Sequence, residues 1–83
     1  MDLVKAKIEQ AIDKQQFLLV PRVPSKKGYE DIHSAMIAPI TGQGGCFGVI
    51  YIDNDKAHPS YDLSDLDYLM LLAIHTSTIV ENF

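Results

Sequence analysis

The sequence predicts an α+β fold: a small antiparallel β-sheet with a central hairpin, flanked by an N-terminal helix and a long C-terminal helix. Three observations point to it. Residues 34–53, SAMIAPITGQGGCFGVIYID, place two strand-like segments on either side of a glycine-rich turn. Residues 2–16 repeat apolar side chains at helical spacing. Residues 63–82 form a long apolar stretch that opens behind an aspartate suited to cap a helix.

In the first helix, Val4, Ile8, Ala11, Ile12 and Gln15 share one face, while Lys5, Lys7, Glu9, Asp13 and Lys14 sit mostly elsewhere. Asp2 can cap its first turn, and Lys14 suits its last, where a cation meets the negative end of the helix dipole. Residues 17–20, FLLV, are β-compatible but short. Pro21 and Pro24 speak against a central strand there, because proline cannot donate to a ladder. Residues 25–28, SKKG, read as a basic loop, and residues 29–33 as a turn of helix or coil.

Residues 34–40 read as a strand whose Pro39 belongs near its end, or with its nitrogen facing away from a partner. Residues 41–45, TGQGG, supply the positive backbone angles of a hairpin loop. In residues 46–53, Phe47, Val49 and Tyr51 alternate with Gly48, Ile50 and Ile52. Apolar residues on both sides predict a strand covered on both faces and lying inside the sheet, with Gly48 leaving room for a helix or ligand to pack close. Residues 54–61 form a loop, after which Asp62 is the N-cap and Asp65 the acid of a capping box. Along the helix that follows, Leu66, Leu69, Ala73, Thr76 and Val80 make one stripe, and Tyr68, Leu72, His75 and Ile79 an adjacent one. A surface helix needs only one. Two stripes imply that this helix covers the sheet and also meets a second copy or the N-terminal helix.

Eighty-three residues make a single domain, 1–83, which buries only about 60–65% of its unfolded surface. With 47% hydrophobic and 22% charged residues, the chain is expected to fold. A net charge of −4 argues against a dedicated nucleic-acid binder, which needs clustered Lys and Arg. The single cysteine, Cys46, excludes an intramolecular disulfide and a cysteine-built zinc site, and is consistent with a reducing cytosol. The N-terminus MDLVKAKIEQ does not read as a signal peptide. The apolar run at residues 69–74 falls far short of the roughly 20 residues that span a bilayer, so a soluble, cytoplasmic protein without membrane partners is expected.

The order of elements carries a resemblance. Residues 34–40 (SAMIAPI) and 48–53 (GVIYID) look like the "S-x-x-x-x-P-L" and "G-V-L-Y-L-D" strands of GAF domains. Tyr61, Asp65, Leu66, Leu69 and Leu72 look like the aromatic, Asp and leucine run that follows in that family, and residues 79–82 (IVEN) resemble its helix end. The N-terminal helix and FLLV are similar to the family's mid-domain helix and the piece after it. The resemblance thus covers the whole chain but only the later part of a GAF domain, without the opening helix and first strands, a partial GAF or profilin-like fold. It implies a non-enzymatic sensory or regulatory module of signal transduction, which binds a small ligand, dimerises, or does both. The self-association face it and the two stripes indicate is Tyr68, Leu69, Leu72, His75 and Ile79. A ligand-free fragment that acts only in self-association is the alternative, and a redox enzyme using Cys46 a weaker one.

Other candidate chemistry has plainer readings. Cys46 fits a buried free thiol better than the bilin-attachment or redox cysteines of some GAF relatives. Asn54, Lys56, Tyr61 and Asp65 partly echo the N-K-F-D-E motif of cyclic-nucleotide-binding relatives, but Leu66 stands at the Glu position and capping accounts for Asp65. Asp53, Asn54 and Asp55 lack the Gly and bidentate Glu of a calcium loop. His33, His58 and His75 are too scattered for local metal-ligand pairs, so no metal is expected. Arg22, Lys26 and Lys27 beside Gly28 could receive an anion, though a solvated loop is the commoner outcome. The TGQGG glycines lead into a strand, which separates them from a phosphate loop. No cofactor is indicated.

Overall fold

A computed structural model describes residues 3–23, 32–55 and 57–82. The expected cap Asp2, the basic loop at 25–28, residues 29–31 and Lys56 lie outside the described residues. The elements are α1 (Leu3–Lys14), β1 (Leu18–Val20), β2 (Ile32–Gly42), β3 (Gly45–Asp55) and α2 (Leu63–Glu81). The α+β architecture is the one the sequence predicts. The three strands form one antiparallel sheet in the order β1-β2-β3.

Strand parity sorts the core. On one face of the sheet, Met36 and Ala38 pack with Leu69 and Ala73 of α2, joined by Leu19, Ile50, Ile52 and Leu66. On the other face, Ala35 packs with Val4, Val20 and Val23, joined by Leu3, Ile8 and Tyr51. The sheet is therefore the middle layer of a three-layer sandwich, with α1 and α2 on opposite faces. Burying a leucine such as Leu69, 2% exposed, contributes about 1.5–3 kcal/mol.

Two placements differ from expectation. The strand with apolar residues on both faces, β3, lies at the sheet edge, and β2 is central. The alternation reported helices above and below the sheet, which α1 and α2 supply; it carries no information about lateral neighbours. Pro39 in turn is tolerated in a central strand because it lies past Ile37, where pairing with β1 ends. Second, α1 stops at Lys14 and Gln15 takes a positive φ of 52°. Gln16 N–H then reaches back to the Ala11 carbonyl at 3.2 Å, so Gln15 ends the helix rather than extending its apolar face.

Local chemistry sets the other boundaries. Asp62 Oδ1 accepts from Asp65 N–H at 3.0 Å, and Asp65 Oδ2 accepts from Asp62 N–H at 2.9 Å, completing the capping box of α2. The hairpin is tighter than the five-residue loop expected: Gly42 pairs with Gly45 around Gln43 and Gly44, and Gly45 alone of these glycines has a positive φ, 112°. A shift in register leaves Phe47 as an extra residue in β3, its ring lying over Gly42. A side chain at Gly42 would collide with that ring and with the Glu81 carboxylate.

Candidate functional site

The offset of α2 creates the site. The helix lies mainly over β2 and β1, while α1 lies over β2 and β3 on the other face. The half of β3 that faces the α2 layer is therefore only partly roofed. An open groove of about 390 Å³ follows, lined by Met36, Ile52, Tyr61, Asp65, Tyr68, Leu69 and Leu72. Its floor is strand, its wall is the flank of α2, and its end is Tyr61.

Tyr61 is held by a polar knot. Buried Ser34 donates its hydroxyl to Asn54 Oδ1 at 2.6 Å, and the Ser34 N–H reaches the same oxygen at 3.0 Å. The Ser34 hydroxyl accepts from Tyr61 N–H at 3.0 Å, and Asn54 Nδ2 donates to the Pro59 carbonyl at 2.7 Å. The Tyr61 hydroxyl donates to the Asp53 carbonyl at 3.0 Å. Two of these hydrogen bonds tie β2 to β3, and the other three fasten the loop before α2 to the sheet and aim the Tyr61 ring at the groove. Burial, then the charges of Asp53 and Asp65, push the Tyr61 phenol above its ordinary value. Beyond the knot, His58 Nδ1 meets Asp55 Oδ1 at 2.6 Å. That hydrogen bond, with a second from Ala57 N–H, holds the Asp55 carboxyl below the usual range.

The expected self-association face divides in two. Tyr68 is 77% exposed, Leu72 and Ile79 are each 50% exposed, and His75 is exposed beside them. Leu69 does not belong with them: one step around the helix, it is buried against Met36 and Ala38. Leu71, 65% exposed, and Ile74 widen the outer surface, a feature that the stripe reading missed. Between Tyr68 and Val80 the helix carries no Asp, Glu, Lys or Arg. Because α1 sits on the opposite face of the sheet, it does not cover this surface.

The remaining candidates have local roles. Cys46 is a half-buried free thiol 3.0 Å from the Gly48 carbonyl. Asn54 and Asp65 are engaged in the knot and the capping box, Lys56 lies outside the described residues, and Tyr61 and Asp65 line the groove. Among the described residues no group of His, Cys, Asp and Glu is placed to hold a metal ion. His33 instead meets Ser60 at 2.6 Å, and Arg22 is exposed, while Lys26, Lys27 and Gly28 lie outside the described residues. No helix among the described residues is long and apolar enough to cross a membrane. Comparison of the chain with protein-family models, with curated proteins and with solved structures gave no match in any of the three.

Proposed function

We propose that this chain is a GAF-like, non-enzymatic regulatory module that self-associates through the exposed flank of α2. The observation that carries the reading is the uncharged surface of Tyr68, Leu71, Leu72, Ile74 and Ile79, standing clear of the sheet. Contiguous apolar surface of this kind marks an interaction site. The resemblance of residues 34–40 and 48–53 to GAF strands supports the regulatory role. A second reading, a small apolar ligand, is favoured by the groove between Ile52, Tyr61 and Tyr68.

The test is molecular mass by light scattering over a dilution series. A dimer of twice 9.3 kDa is expected, dissociating as the chain is diluted. Leu72→Glu should weaken it by about 10- to 100-fold, since a carboxylate is then buried without a partner. A ligand that fills the groove and touches Leu72 should shift the same equilibrium. A chain that stays at 9.3 kDa at every concentration refutes self-association.

A further inference from the structure

Resting on the reading of the groove as a ligand site, we infer that it takes a small organic cation with an apolar body, in the simplest case an alkylammonium. Most of its lining is apolar: Met36 and Ile52 come from the strands, Leu69 and Leu72 from α2. Its volume of about 390 Å³ stands at the small end of the roughly 300–1,000 Å³ of ligand sites. The occupant is therefore small, with a body that can be drawn out of water.

Charge specifies the head of that occupant. Among the described residues that line the groove, Asp65 is the charged one. A more polar depression adjoins the groove, shares Tyr61 and Asp65 with it, and adds Asp62. No described Lys or Arg lines either of them, and His58 in the second is turned to Asp55, which it meets at 2.6 Å. The capping box holds both carboxylates in place through backbone N–H groups, with no side-chain cation to neutralise them. Two full negative charges outweigh the roughly half positive charge at the start of a helix. The Tyr61 phenol, raised first by burial and then by Asp53 and Asp65, registers the same negative field. An anion is repelled here, and it finds no donor in the Tyr61 hydroxyl, which is given to the Asp53 carbonyl. A neutral apolar molecule takes water from Asp65 and returns nothing to it. A cation answers the acid and the rings together. Tyr61 and Tyr68 line the same groove, and an aromatic face attracts a cation within about 6 Å of its centre.

Three probes with the same six-carbon chain test this: hexyltrimethylammonium, hexanol and hexanoate. Each is titrated into the protein at one chain concentration, so that the state of association is common to all, and the Met36, Tyr61 and Tyr68 resonances are followed by NMR. Hexyltrimethylammonium is expected to bind about 5- to 10-fold more tightly than hexanol, and hexanoate more weakly than either. Asp65→Asn keeps an oxygen for the capping box and removes the charge; it should cut the preference for the cation over hexanol by about 5-fold. Tyr68→Leu keeps an apolar wall, removes a ring face, and puts little of the fold at stake, because Tyr68 is 77% exposed. It should narrow the same preference. Hexanol or hexanoate binding as tightly as the cation overturns the cation site and leaves the apolar-ligand reading standing, as does a preference that neither substitution changes. No shift at these three residues with any probe overturns the cation site and the ligand reading together. Self-association is judged separately, by light scattering.

Discussion

Ser34 shows how much one hydroxyl can organise. Its partners, Asn54 and Tyr61, are 20 and 27 residues away, and all of them meet where the sheet passes under the loop. Ser34→Ala removes the hydroxyl, leaving the half-buried Asn54 Oδ1 with only the Ser34 N–H and the Tyr61 N–H without its acceptor. A loss of about 1–3 kcal/mol is expected in urea unfolding, with the Tyr61 ring resonances broadened. Asp55 makes a smaller, pH-dependent contribution. Its carboxyl is held below the ordinary value, so the stabilisation is present at neutral pH and is lost as pH falls through the folded-state value, below about 4. His58→Ala should move the Asp55 titration, followed by NMR, up toward the usual carboxylate range; an unmoved titration would exclude the His58 contact as its cause.

Elements whose signals are local were legible in the sequence. The Asp62–Asp65 capping box lies within four residues, and the helix starts where that pair sets it. The two long strands and the terminal helix likewise follow from periodicity. What periodicity cannot encode is lateral order: the apolar alternation of β3 is satisfied by layers above and below, so an edge strand reads like a central one. The same limit hid the knot. Periodicity set Leu69 in the stripe with Leu66 and Ala73, and there it packs on the sheet; its inclusion in the self-association face ran against that stripe. The hairpin was legible in kind and one size too wide. Its single demanding position is Gly45, with φ at 112°, where an L side chain is strained. Gly45→Ala should lower the unfolding free energy by about 1–2 kcal/mol. Gly44→Ala, with open space and no such angle, should change it by less than about 0.5 kcal/mol.

At the scale of the molecule, a chain of 83 residues divides its apolar side chains between two thin cores, one on each face of a three-stranded sheet. Among the described residues each core has one helix as cover. The exposed face of α2 follows from that thinness. The proposed self-association would link stability to concentration, since a dimer draws the folded state away from the unfolded one. The groove and the exposed Tyr68 and Leu72 lie on the same flank of α2, so a molecule seated in the groove would touch the surface proposed for self-association.

The packing of Phe47 and Glu81 over Gly42 also bears on how the sequence can drift. A side chain at 42 is admitted only where the half-exposed Phe47 ring and the Glu81 carboxylate swing aside, and both are the far ends of side chains. What position 42 tolerates therefore depends on positions 47 and 81 together, so the turn, the strand and the last turn of the helix are coupled in what they accept.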